Sequence, residues 1–358
     1  MGDLDVARWR LRTQRLVEPH LTTAADVVST LLAVQAENPT QSAWAVAART
    51  VAPDPTDLAR MLDAGTVVRT HVLRPTWHYV AADDVAWLIE LTAPRVRRTT
   101  QQQLRTVHRI DDPAVDHGSS VVLDALDSAH LTRTDLAGVL ASAGSEITGQ
   151  GLAILLADLE LQALICSGRP GADGSHTYAR FGDRIPSPRR LDRTASLAEL
   201  AWRYFSGHGP ATEQDLAYWA TLPLGDVRIG LAHASDRLES FEHDGRTFWH
   251  APAEEPRGVG TPAAHLLQIL DEMYRGYQES RWVLDVAGVV PRTREPTAGM
   301  ALIDAQLTAA MKRTVAADRV VFELRPYRPL STADRAALEV AASRYGTFLG
   351  RPGMLEVR

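Results

Sequence analysis

The sequence predicts a mainly α fold with small β-hairpins, in which sets of short helices are each closed by a hairpin and an α+β C-terminal domain follows. Three observations predict it. Val27, Val28, Leu31, Leu32 and Val34 recur at three- and four-residue intervals, as in a helix that buries one face. Beyond Gly65 the pattern changes to β-branched and aromatic residues, Val67, Val68, Val72, Leu73, Trp77, Tyr79 and Val80, which reads as a hairpin. The motif T-x-x-D-L-A stands at Thr132–Ala137 and Thr212–Ala217, with a weaker copy at Thr23-Ala-Ala-Asp26-Val27, and a threonine followed three residues on by an acid opens a helix. Three short helices and then a hairpin is the order of a winged helix, so tandem winged-helix units are expected.

In chain order, residues 4–16 and 22–35 read as helices with Pro19 in the turn between them, and 41–49 and 55–64 as two more before the hairpin of 67–80. Residues 83–103 read as a longer helix interrupted near Pro94. In the second unit the helix of 149–161 leads through a loop with Gly168, Gly171, Asp173 and Gly174 into a strand at 177–181. In the third a helix near 225–234 precedes strands at 238–242 and 247–250 around Asp244-Gly245, a strong tight-turn signal. The stretch 252–262, rich in proline and glycine, reads as a linker. Beyond it, 263–275 reads as helical, 282–290, 299–303 and 320–324 as strands, and 332–349 as a closing helix that ends at Gly350. The expected domains are winged-helix units at 1–112, 113–192 and 193–256 and an α+β domain at 257–358.

Composition narrows the function. The chain has 358 residues, 45% of them apolar and 23% charged, which is ordinary for a soluble globular protein of two or three domains. Cys166 is the sole cysteine, which excludes an intramolecular disulfide and cysteine-based zinc sites and suits a reducing cytoplasm; its apolar neighbours Leu164 and Ile165 predict a buried thiol. The N-terminus lacks an apolar leader and no run approaches eighteen apolar residues, so neither export nor a membrane span is expected. A net charge of −6 argues against coating nucleic acid nonspecifically. Locally the balance reverses, because Arg95, Arg97, Arg98, Arg105 and Arg109 follow one another with no acidic residue between them, and Arg180, Arg184, Arg189, Arg190 and Arg193 form a second cluster. A positive groove within a negative exterior is one reading; the other is that arginine is simply the basic residue this chain uses, since Lys312 is its sole lysine. No phosphate-binding loop, G-x-S-x-G or dinucleotide fingerprint is present.

The stretch Leu31–Gln41, L-L-A-V-Q-A-E-N-P-T-Q, is the candidate centre of chemistry. Asn38 precedes Pro39, which disfavours α geometry, so the helix should stop at about Glu37. Residues two apart point oppositely in a helix but share a side in extended chain, so an unwound Gln35-Ala36-Glu37 aims an amide and a carboxylate at one point, where they can hold a water. A solvated helix end would carry the same residues.

This stretch, with R-T-H-V-L-R-P-T-W-H-Y-V at 69–80 and H-L-L-Q-I-L-D-E-M-Y-R-G-Y at 265–277, resembles the winged-helix proteins that include the AlkZ-type (azinomycin-resistance) DNA glycosylases and their YcaQ-type relatives. In those the motif is Gln, apolar, Gln or Gln, apolar, Asp. Here Glu37 keeps the carboxylate of one and the length of the other. The resemblance implies a monofunctional, metal-free glycosylase that hydrolyses the N-glycosidic bond of alkylated or bulky-adduct purines in double-stranded DNA, with possible roles in self-resistance or crosslink unhooking. It implies Glu37 as base and electrostatic stabiliser and Gln35 as the group that orients the water. The negative end of the 22–35 helix would add a field favourable to a developing cation. Arg69, Arg74, Thr76 and His78 on the first hairpin and Arg95, Arg97 and Arg98 beyond it are the expected DNA contacts, against the alternative that Thr76 and His78 bond into the domain's own core. His265, Asp271 and Glu272 do not converge on a helix, so no metal is expected, and no cofactor. The chain is expected to be a cytoplasmic monomer. The rival reading is a non-catalytic winged-helix DNA-binding protein or transcriptional regulator, and a third is a protein-interaction scaffold.

Overall fold

The computed structural model describes residues 1–253, 263–290 and 299–358. Helix α1 (Asp3–Thr13) precedes a set formed by α2 (Ala24–Leu31), β1 (Ala33–Gln35), α3 (Pro39–Ala47), α4 (Pro55–Ala64), β2 (Val67–His71) and β3 (Trp77–Ala81). Helix α5 (Ala82–Thr106) leads to a second set, α6 (Asp112–Ala125), β4 (Leu131–Thr132), α7 (Arg133–Ser142), α8 (Gly149–Glu160), β5 (Ile165–Ser167) and β6 (Thr177–Arg180). After the short α9 (Phe181–Arg184) comes a third, α10 (Arg193–His208), α11 (Glu213–Ala220), α12 (Leu224–Ala234), β7 (Glu239–His243) and β8 (Arg246–His250), with Ala211 bridged to Trp249 where the other sets have their first strand. Helix, strand, two helices and two strands thus recur three times. Each time the last strand lies in the middle, in the orders β1-β3-β2 and β4-β6-β5 and, in the third set, Ala211 beside β8 beside β7.

The capping boxes predicted from T-x-x-D are all formed, at Thr23, Thr132 and Thr212. They are not three copies of one position, however. Thr132 and Thr212 open the second helix of their sets, whereas Thr23 opens the first helix of its own. The corresponding helix in the first set, α3, starts at Asn38 with Pro39 in its first turn, so a different N-terminal device does the same job.

The C-terminal region is a five-stranded sheet in the order β13-β12-β11-β10-β9, made of β9 (Ala264–Leu267), β10 (Gly299–Ile303), β11 (Gln306–Val315), β12 (Val320–Pro326) and β13 (Gly353–Val357). Only the β12–β13 pair is parallel, and α14 (Thr332–Phe348) makes the crossover that a parallel pair requires. A short helix α13 (Glu272–Arg275) follows β9.

Four expectations need correction. The helix of 22–35 ends at Leu31, because Leu32 takes a φ of 64° and turns the chain into β1, so its carboxyl end does not reach Gln35. Pro94 does not interrupt α5; it is exposed, so the carbonyl it leaves unpaired faces water. Residues 263–275 are a strand and one helical turn rather than a helix, because His265-Leu-Leu267 pairs with β10, and a short apolar run does not reveal its period. Residues 282–290 form a 3-10 turn and a loop in which the Asp285 carboxylate accepts the backbone N–H groups of Val289 and Val290, at 2.8 and 3.0 Å. Strands β4, β5, β11 and β13 were not among the expected elements. Most of the proline-rich stretch of 252–262 lies outside the described residues. Cys166 is buried, which pushes its thiol up to about 12.

Candidate catalytic site

Gln35 ends strand β1, and Glu37 follows two residues on in the bend that leads to α3. Gln35 sits opposite His78 in the antiparallel β1–β3 pair, and Ala36 N–H continues the ladder by donating to the Trp77 carbonyl at 2.7 Å. The chain is thus extended through Gln35 and Ala36, as a strand rather than a frayed helix end, and bends at Glu37 before α3 begins. Gln35 is buried and Glu37 is exposed. The Glu37 carboxylate accepts the backbone N–H of Trp77 at 3.3 Å through Oε2.

The orientation of the Gln35 amide follows from its neighbours. Its Oε1 accepts from Arg74 Nη2 at 2.8 Å and from Thr76 Oγ1 at 3.3 Å. A guanidinium only donates, so the atom facing Arg74 must be the amide oxygen, and the NH2 group points elsewhere. Those amide hydrogens meet no acceptor among the described residues. Toward anything outside the protein, Gln35 is a donor.

Beneath this pair lies a buried polar layer that spacing could not disclose. Glu272 is fully buried and accepts Gln35 N–H at 2.9 Å, Trp219 Nε1 at 2.8 Å and His208 Nε2 at 3.4 Å. Burial opposes its charge, but the His208 hydrogen bond and the Arg74 charge outweigh burial and bring its pKa to about 2. Gln268 Nε2 donates to the Gln35 carbonyl at 3.4 Å. Asp271 pairs with the buried Arg49 at 2.8 Å and also caps α13. The 265–277 motif is thus the shelf on which β1 rests. Its quoted residues were visible in the sequence; their partners, from 53 to 237 positions away, were not.

Burial changes the roles expected of the first hairpin. Arg69, Arg74 and His78 are 6, 9 and 0% exposed, so in this conformation they hold the Gln35 strand rather than face solvent as a DNA-contacting wing would. Arg74 also donates to the Arg275 carbonyl at 3.0 Å and to His78 Nε2 at 3.3 Å. Burial and the Arg74 charge push His78 down to about 3, and a neutral ring with Nδ1–H donating to the Thr76 carbonyl and Nε2 accepting from Arg74 satisfies both contacts. Arg69 donates to the carbonyls of Ala36 and Glu37, at 2.9 and 3.3 Å, and lies 4.2 Å above the Trp77 ring. Thr76 is half-buried beside Gln35. On α5, Arg95 and Arg98 are exposed and have no partner among the described residues, while Arg97 makes a two-pronged bond to Asp158 at 3.0 and 3.1 Å. Arg97 is thus engaged in joining α5 to α8. Among the described residues no group of three His, Cys, Asp or Glu side chains gathers as a metal site would, and no helix is long and apolar enough to cross a membrane.

Comparison with known proteins identifies the family. The model of the family "DNA glycosylase AlkZ-like" matches residues 28–348. An interstrand DNA cross-link repair glycosylase of Streptomyces sahachiroi is 25% identical over 256 residues, 67% of each chain. The solved structure of the Streptomyces sahachiroi DNA glycosylase AlkZ superposes over 100% of this chain and 99% of its own with a TM-score of 0.77, at 19% identity. A match over nearly the whole chain shows the family, and the chain belongs to the AlkZ-like DNA glycosylases, hydrolases that act on N-glycosyl bonds.

Proposed function

We propose that Gln35 and Glu37 hold and activate the water that releases an alkylated or bulky-adduct purine from duplex DNA. The observation that carries this is the Gln35 amide, its oxygen held by Arg74 and Thr76 so that its NH2 is left to donate, with the Glu37 carboxylate bonded to the next residue, Trp77. The Nε2–H group donates to the water oxygen and Glu37 accepts one of its protons. The oxygen then bonds to C1′ as the glycosidic C–N bond breaks, and the bonding pair leaves with the base. A purine made cationic by alkylation needs no strong acid to depart, and the Glu37 charge stabilises positive charge developing on the sugar.

Glu37 is exposed, while Gln35 is buried beside the half-buried Thr76. A base at the surface accommodates an adduct that an enclosed one would reject. The relative's name as a cross-link repair glycosylase favours the same substrate class and extends it to crosslinks. We read the three helix–strand repeats as winged-helix units at 1–112, 113–192 and 193–256, with an α+β domain at 257–358, on the strength of the recurring strand order. Arg95 and Arg98, with Thr76 beside the site, are the residues we assign to DNA contact. In this reading the protein acts as a cytoplasmic monomer.

The test is single-turnover base release from an N7-alkylguanine duplex, with binding measured in parallel. Glu37→Ala should slow release by roughly two to four orders of magnitude while duplex affinity stays near wild type. Glu37→Gln should keep part of the rate, as the Gln-apolar-Gln relatives imply. Full activity in Glu37→Ala would move the chemistry elsewhere.

A further inference from the structure

The second repeat reaches the catalytic segment through Glu160, the last residue of α8, and Ser167, which ends β5. Glu160 is fully buried. Its carboxylate accepts the Trp77 indole N–H, at 3.1 Å to Oε2 and 3.3 Å to Oε1, and Oε2 also meets His71 Nδ1. Ser167 Oγ accepts Arg69 N–H at 2.8 Å. Trp77 is surrounded on the other side of this anchor. Arg69 lies over its ring, and the His71 and His176 rings tilt against it at 4.6 and 5.8 Å.

Both groups that Glu160 steadies act on Glu37. The Trp77 backbone N–H donates to the Glu37 carboxylate, and Arg69, whose charge is supported by Glu160 among others against the cost of burial, donates to the Glu37 carbonyl. We propose that Glu160 is a positioning residue for base release, acting through Trp77 and Arg69 to hold the Glu37 carboxylate where it meets the attacking water. The inference rests on the reading of Glu37 as the base. It adds that a residue of the second repeat, 123 positions away in sequence, sets the geometry of a reaction carried out in the first.

A carboxylate is the group that fits. It accepts from the indole and from His71 at once, whereas an amide at this position would turn a donor toward one of them. Losing the anchor frees the Trp77 ring to swing, and Arg69 loses both its stacking surface and a supporting charge. A small misplacement of a catalytic group slows chemistry without weakening substrate binding.

The experiment compares wild type, Glu160→Gln, Trp77→Phe and the double variant on an N7-alkylguanine duplex. Single-turnover release at saturating enzyme and equilibrium affinity for an uncleavable abasic-analogue duplex are measured for each. Both single variants should lose about ten-fold or more in rate with affinity nearly unchanged, and the double variant should be no slower than the worse single, because both cut one chain of contacts. Trp77→Phe keeps an aromatic ring on a partly exposed residue, so it reports on the same link should Glu160→Gln fold poorly. Losses that multiply in the double variant, or that appear as weaker DNA binding, would overturn the proposal, as would unchanged rates. If Glu37→Ala abolishes release while Glu160→Gln and Trp77→Phe leave it intact, the positioning role fails and the Glu37 assignment stands. Full activity in Glu37→Ala would instead sink the assignment beneath it.

Discussion

Glu272→Gln should destabilise the protein by an amount that depends on pH in a defined way. The carboxylate receives Gln35 N–H, Trp219 N–H and His208 Nε2 and lies near the Arg74 charge. An amide of the same shape must turn its NH2 group toward one of these donors and leaves Arg74 buried with less opposing charge. The carboxylate's pKa of about 2 in the folded protein, against an ordinary 4.5, corresponds to about 3 kcal/mol at roughly 1.4 kcal/mol per pH unit. The folded value is depressed, so this stability is fully present above 4.5 and is lost as pH falls toward 2. Urea unfolding of wild type and variant at pH 7 should therefore differ by about 3 kcal/mol, and at pH 3 by less than half of that. Other carboxylates titrate in the same range, but they are common to both proteins and cancel in the difference. A gap that stays constant between pH 7 and pH 3, or no gap at pH 7, would refute the account of Glu272 as a buried anion that supports Gln35.

Gln35→Glu should keep the acceptor that faces Arg74 and lose the donor that faces the water, so single-turnover release falls by about 100-fold while the melting temperature holds or rises. An active Gln35→Glu would show that no donor is needed. Arg95→Ala and Arg98→Ala should each weaken duplex binding and reduce the salt slope of log Kd by about one, the effect of removing the one phosphate contact proposed for each. Arg97→Ala should instead act on stability, lowering it by about 1–3 kcal/mol because Asp158 is left buried without its partner; a thermal melt and a salt titration on the same samples separate the two effects.

What could be read from the sequence was whatever depends on neighbours along the chain. The hairpin of 67–80 showed itself because β-branched and aromatic residues repeat there, and Gly65 marked where α4 ends, whereas Pro39 marks the start of α3 and not the end of α2, which Leu32 sets. That Gln35 lies outside the helix also followed from a local rule, although the strand it belongs to did not. What escaped was set by partners far away in sequence. Arg69 and Arg74, expected as DNA contacts, are buried, as are Arg10 and Arg49. Arginine tolerates this because its five donors can be spent on carbonyls and carboxylates from several elements at once. Arg10 shows the pattern, bonding to the carbonyls of Pro210 and Ser280 and the Ser280 hydroxyl while lying 3.7 Å over the Tyr277 ring. The same logic explains why the segment proposed as catalytic lies at a seam. Strand β1 is three residues long and pairs on one side with β3, so its remaining backbone groups need partners from elsewhere. Glu272 and Gln268 supply them to Gln35 itself. Holding an amide and a carboxylate to the accuracy that catalysis requires therefore draws on all three repeats and on the C-terminal region. A change at Trp219 or His208, which support Glu272 from the third repeat, should then be felt at Gln35 although neither touches it.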